Sequence, residues 1–323
     1  MKVSKLPEHI GHLHCLEMLD ITNTAVYDLP ASFVNLRRLA HFRVGQCVRF
    51  PDGIAKMQAL ETLKIVQTSM QSYNFLQELG ELKNLRKLFL FTIHDVEHKE
   101  VVASSLRKLC LQNLSSLDMW NDCDNIVLNA WCMDPPLSLQ KLNIVNSVLP
   151  KVPDWVGLLV NLQILRLEVM RIRHEDLCIL GSLPALLTLF LRGPQGLYPC
   201  KDRKLAVPSE AGFRCLKMFR NEPWHDWIDL MFEARCMPKL EKLEINLLVF
   251  SSAQLESLSG PGAFNFGIEN LCSLVTFKYE SLSIWSGLSS TTVDAVKASL
   301  ESAVSAHPNH VTLIFNHVNQ GDP

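Results

Sequence analysis

The pattern Leu-x-x-Leu-x-Leu returns along the whole 323-residue chain, and such a repeat cannot be satisfied by one ordinary core. Its marker pairs are Leu19/Ile21, Phe42/Val44, Leu63/Ile65, Leu88/Leu90, Leu109/Leu111, Leu142/Ile144, Leu165/Leu167, Leu189/Leu191, Leu243/Ile245 and Phe277/Tyr279, with a weaker unit at Leu216/Phe219. Most neighbouring pairs lie 21 to 25 residues apart, and leucine fills 53 of the 323 positions. In Glu61-Thr62-Leu63-Lys64-Ile65-Val66 the alternation predicts a strand with Leu63 and Ile65 on one side and Thr62, Lys64 and Val66 on the other. One unit cannot bury its leucines, so neighbours must stack into a continuous core.

The period falls in the window of leucine-rich repeats. The predicted fold is therefore an α/β leucine-rich-repeat solenoid, a horseshoe with a parallel sheet on its concave side and less regular segments behind. Three stretches break the period: Trp120 to Pro136, in the gap between Leu109/Leu111 and Leu142/Ile144 to which Leu114/Leu117/Met119 add a cramped strand, Gly193 to Gly212, and Ser251 to Phe266. The last two are rich in Pro and Gly and read as extended loops. Residues 1–290 form the expected solenoid and 291–323 a C-terminal cap. In the cap, Thr291 and Asp294 make a capping signature, Val293, Val296, Leu300 and Val304 a helical stripe, and Val311, Leu313 and Phe315 a last strand. At the other end Leu6-Pro7-Glu8-His9-Ile10 reads as the tail of a repeat, and the chain is expected to be the distal piece of a longer protein or a truncated descendant of one.

Composition narrows the function. The 31 basic and 33 acidic residues give a net charge of -2, against the counterion-releasing basic face of a nucleic-acid binder. Apolar runs such as Trp155 to Val160 are far shorter than the roughly 20 residues of a membrane-spanning helix. The ten cysteines include no CxxC pair, and only Asn113-Leu114-Ser115 fits a glycosylation acceptor. Reduced thiols and a cytoplasmic location follow.

The tracts Leu6-Pro7-Glu8-His9-Ile10, Leu29-Pro30-Ala31-Ser32-Phe33, Phe50-Pro51-Asp52-Gly53-Ile54 and Val152-Pro153-Asp154-Trp155 resemble the leucine-rich-repeat region of plant intracellular disease-resistance receptors. The repeat body from Leu158 to Leu167 does so too, and the terminal helix followed by His307-Pro308-Asn309-His310 resembles the ending of grass members. The resemblance implies a protein-interaction and regulatory domain in plant defence. Its partners would be a pathogen effector or a guarded host protein, and a nucleotide-binding domain of the same or another chain that it restrains. No Gly precedes a Lys, so the phosphate-cradling loop of that switch is not in these residues. A ubiquitin ligase's substrate-recognition repeats are the alternative, with an adaptor-binding module upstream.

No enzymatic chemistry and no cofactor are expected. His94-Asp95-Val96-Glu97-His98 spells a zinc-hydrolase pattern, but it follows a repeat strand and reads as a solvated turn. Asn121-Asp122-Cys123-Asp124-Asn125 lacks the later calcium ligands. Trp224 and Trp227 are expected to pack behind the sheet. The functional candidates are the outward strand positions: Arg43, Lys64, Lys87, Phe89, Phe91, Lys141, Arg166, Phe190 and Arg192. Phe beside Arg and Lys on an exposed face is the make-up of a protein-contact surface, although basic residues there also keep a sheet soluble. Asp20, His41, Thr62, Val66, Lys108, Cys110, Asn143, Glu168, Lys242, Glu244, Lys278 and Glu280 complete the expected face.

Overall fold

The computed structural model describes residues 3–92, 97–120, 131, 135–193, 204–222, 229–249, 266–283 and 290–319. The chain divides into two compact units, 1–147 with 158–162, and 148–157 with 163–323.

The first unit carries β1 (Met18–Asp20), β2 (His41–Arg43), β3 (Thr62–Gln67), β4 (Lys87–Phe91), β5 (Ser116–Trp120) and most of β6 (Lys141–Leu149). Each strand pairs parallel with the next in sequence. Leu63, Leu88, Leu117 and Leu142 form one buried row, at most 1% exposed. Behind the sheet, the Leu-Pro tracts turn into short 3-10 helices, Glu8–His12, Ala31–Asn35 and Ile54–Lys56. Proline suits the first two because its fixed φ and missing N–H cost nothing at a helix start. The apolar residue that follows, Ile10, Phe33 or Ile54, is the anchor sunk into the core. A run of rings, Phe33–Phe42–Phe50–Phe75, joins successive repeats at centroid distances of 4.8, 5.8 and 4.8 Å.

Two helices replace 3-10 turns where the repeat is longer. In α1 (Tyr73–Leu79), the Ser72 hydroxyl caps by accepting the Phe75 N–H at 3.0 Å. In α2 (Lys99–Cys110), Val102, Leu106 and Leu109 are buried at helical spacing. This helix corrects the expected strand at Leu109/Leu111. Leu106, Leu109 and Leu111 mimic the repeat pattern, but Leu111 is 72% exposed. The strand of that repeat is β5, with Leu117 and Met119 inward, so Lys108 and Cys110 leave the expected face. Lys108 instead pairs with Glu81 at 2.6 Å behind the sheet.

The second unit holds β7 (Ile164–Val169), β8 (Thr188–Arg192), β9 (Lys204–Val207), β10 (Met218–Glu222), β11 (Asp229–Phe232), β12 (Lys242–Val249), β13 (Thr276–Ser283) and β14 (Thr312–Asn319). The order β7-β8-β10-β12-β13-β14 is again parallel throughout. β9 and β11 make a separate two-stranded parallel sheet. The expected loop from Gly193 to Gly212 thus contains a strand in its described part. Leu165, Leu189, Phe219, Leu243 and Phe277 are fully buried. The 3-10 helix Asp154–Leu158 buries Trp155. In α3 (His174–Gly181), the buried Asp176 carboxylate accepts the N–H of Val152 at 2.9 Å and of Arg173 at 2.8 Å.

The C-terminal helix α4 (Ser290–Ser305) buries Val296, Leu300 and Val304. It starts one residue before Thr291, so Thr291 lies in its first turn and is not its cap. His307, buried, donates from Nε2 to the Ile268 carbonyl at 3.0 Å and accepts the Asn309 N–H at Nδ1, also 3.0 Å. Asparagine side chains stitch repeat to repeat: Asn84 to Gln58 O at 2.8 Å, Asn113 to Lys83 O at 2.9 Å and Asn161 to Leu137 O at 3.0 Å. The His94–Val96, Asn121–Asn125 and Trp224–Trp227 motifs lie outside the described residues, as do 251–265. Glu97 and His98 form the turn that enters α2. No helix among the described residues is long and apolar enough to cross a membrane.

Candidate functional site

Strand alternation delivers one side chain in two to the face opposite the helices. In the first unit that face begins with Arg43 and Asp20, paired at 3.3 Å with Arg43 53% exposed. The Thr22 hydroxyl and N–H hold the Asp20 carboxyl below its usual range, and Arg43 adds to this against a small desolvation cost. His41 Nδ1 meets the Thr62 hydroxyl at 3.2 Å.

The face then departs from expectation. Between β3 and β4 the register slips after Leu63/Leu88, so that Val66 and not Ile65 pairs with Leu90. Lys64 and Ile65 together stand opposite Phe89, a β-bulge. Ile65 takes φ 67, a left-handed backbone that a β-branched residue rarely adopts. Val66 is buried at 0% while Ile65 is only part-buried. The expected inward and outward roles of Ile65 and Val66 are therefore exchanged, because the extra residue flips every later side chain.

Beside the bulge, Phe89 and Phe91 are part-buried on the face, and Phe91 packs on Trp120 of β5 with ring centroids 5.8 Å apart. Lys87 is exposed and Lys64 part-buried; neither has a carboxylate within ion-pair distance among the described residues. Farther along, Lys141 pairs with Asp118 at 2.9 Å, and the Asn143 amide donates to the same carboxylate. The structure thus gathers Lys64, Lys87, Phe89 and Phe91 into one patch and adds Ile65 and Trp120, which sequence reading missed. The alternation within Ser116–Trp120 carried the signal for Trp120, once Leu117 and Met119 are read as the inward pair.

The second unit presents a closed network of charges. Glu222 lies within 3.9 Å of Arg166, 3.7 Å of Arg192 and 2.5 Å of Arg220. Arg220 also reaches Glu244 at 3.5 Å, Lys242 contacts Glu244 at 2.5 Å, and Lys278 contacts Glu280 at 2.7 Å. Glu168 and Glu244 occupy outward positions as expected but are only 3% exposed, because neighbouring side chains roof them. Burial pulls the Arg192 guanidinium down, opposed by the charges of Glu168 and Glu222. Phe190 sits in register between Arg166 and Arg220. Glu222, the centre of the network, was missed because the Leu216/Phe219 repeat is weak.

The seven described cysteines are free, and burial pushes the Cys110 and Cys236 thiols up to about 12. Among the described residues no cluster of His, Cys, Asp and Glu is arranged to hold a metal.

Parallel strands, buried leucine rows and short 3-10 or α-helical segments behind them recur from repeat to repeat. A family described as a leucine-rich repeat region matches residues 1–313. The chain belongs to that family. Among curated proteins, the repeat region is 29% identical to disease resistance protein RGA5 of Oryza sativa subsp. japonica, over 95% of this chain and 27% of the relative. It is 25% identical to disease resistance protein Pik-2 of the same plant, over 76% of this chain and 28% of the relative. It thus spans about a quarter of the length of either. Solved structures similar to it include a leucine-rich-repeat protein of Leptospira interrogans, at 17% identity and TM-score 0.48, covering 97% of this chain and 82% of that one. The repeat region is homologous to part of plant disease-resistance proteins, and folds of this kind are scaffolds for protein interaction.

Proposed function

We propose that the strand face recognises a protein partner in the plant defence response, either a pathogen effector or a guarded host protein. The same region restrains a nucleotide-binding switch, on its own polypeptide or on another, in the cytoplasm. It performs no catalysis and needs no cofactor. The observation that carries this reading is the similarity to RGA5 along 95% of the chain. The mixture of aromatic and basic side chains on the face supports it, since such a mixture is typical of interface cores and their rims.

A graft tests the proposal. The matching segment of RGA5 is replaced by this repeat region, and cell death is scored in leaf tissue. Quiescence of the chimera, with death on deleting the graft, supports restraint; a chimera that is active without any trigger counts against it. Recognition is tested separately, by recovering proteins that cross-link to the chain through a photoreactive group at position 89.

A further inference from the structure

We infer that the strand face of the first unit binds an extended, acidic segment whose apolar side chains alternate with solvent-facing ones. This rests on the reading that the face contacts protein, and it names the chemistry of the contact.

The first argument is electrostatic. Arg43 and Lys141 have carboxylate partners in Asp20 and Asp118. In the second unit, Arg166, Arg192, Arg220, Lys242 and Lys278 are each paired with a glutamate. Lys64 and Lys87 stand apart: they flank Phe89 with no carboxylate within ion-pair distance among the described residues, and Asp118, in register with Phe89 on the next strand, is held by Lys141. Two uncompensated cations against an aromatic strip form a surface complementary to an acidic partner.

The second argument is geometric. Lys87, Phe89 and Phe91 project from alternate positions of one strand, about 7 Å apart. An extended segment lying along β4 presents its own side chains at that same interval. The matching order is an acidic residue, then apolar residues two and four positions away, with Trp120 widening the apolar end and Ile65 the middle. The left-handed backbone at Ile65 adds to the case. Val66 already fills the core place, so the strained residue serves the face.

The test uses the intact chain and a fluorescein-labelled peptide made of two Glu-Ser-Leu-Ser-Leu blocks, with Gln-for-Glu and Lys-for-Glu versions, read by anisotropy. The expected result is binding of the Glu peptide about tenfold or more tighter than the Lys peptide. The gap should shrink as salt rises from about 50 mM to about 500 mM. The double variant Lys64→Glu/Lys87→Glu, at positions outside the core, should invert the preference. Phe89→Ala/Phe91→Ala should weaken all peptides alike. Equal affinity for the Glu and Lys peptides, no binding of either, or a preference unmoved by the lysine changes would overturn the inference. A failure here with a quiescent graft sinks only the assigned chemistry; an unrestrained graft with peptide selectivity intact sinks only the switch reading.

Discussion

Ile65 and Asn146 each close a two-residue outward step in their strands, one inward row apart, and both take left-handed backbone, with φ 67 and φ 56. In each strand two residues follow an inward one before burial resumes, at Val66 after Leu63 and at Ser147 after Ile144. Asparagine tolerates this conformation and isoleucine does not. Ile65→Asn should therefore stabilise the protein by about 1 kcal/mol, and Asn146→Ile should destabilise it by about 1–2 kcal/mol. Urea midpoints of the two variants measure this; a loss of stability in Ile65→Asn would mean that the side chain matters more than its backbone.

Gly267 has φ 69, and a Cβ there would lie 2.3 Å from the Phe232 carbonyl oxygen. Gly267→Ala should cost about 2 kcal/mol or more, since neither backbone can yield cheaply. At Gly45 an added Cβ would meet nothing closer than 3.4 Å, and φ is ordinary. Gly45→Ala should leave the thermal midpoint almost unchanged, which makes it the control.

The repeat itself was legible because each buried leucine must meet its neighbour one period later, and that demand is written at fixed spacing. The failures have equally local causes. Leu106 and Leu109 belong to the strand pattern and to the helix stripe at once, and only the exposure of Leu111 decides between them. The exchange of Ile65 and Val66 depends on a bulge that no alternation rule anticipates. The aromatic and basic members of the face were readable from alternation in β4. Pairing was not: whether Glu222 meets Arg192 or Lys64 stays unpaired depends on register across strands separated by unequal connections.

Glu280 gives an acid prediction. Desolvation raises its carboxyl, but hydrogen bonds from Lys278 and Asn316 and the charges of Lys278 and Arg220 outweigh it, leaving it below its ordinary 4.5. A depressed folded-state value means that this stabilisation is complete above the unfolded value and is lost as pH falls below 4.5 through the folded one. Amide exchange in β14, which carries Asn316, should accelerate over that window beyond the general acid trend. Glu280→Gln should remove the extra step, and an unchanged profile would show that the contact contributes nothing there.

Thiol chemistry should divide the cysteines. Cys272 is exposed, while Cys236 is buried with its thiol pushed up from 9.0 to about 12. In variants keeping one of these as the only cysteine, the Cys272 form should react with a disulfide reagent roughly a hundredfold or more faster at neutral pH. Adding denaturant should bring the two rates together, because access and thiolate fraction both recover on unfolding.

The network around Glu222 and Glu244 limits how the second unit can change over time. Glu244 has a side chain only 4% exposed and leans on both Arg220 and Lys242, so losing one cation leaves a roofed charge without full compensation. Variation there must arrive as coordinated exchanges, each passing through a less fit single step. Lys64 and Lys87 carry no such obligation. They can be swapped one at a time at almost no thermodynamic cost, which leaves the first unit's face the quicker substrate for selection when a partner changes its surface.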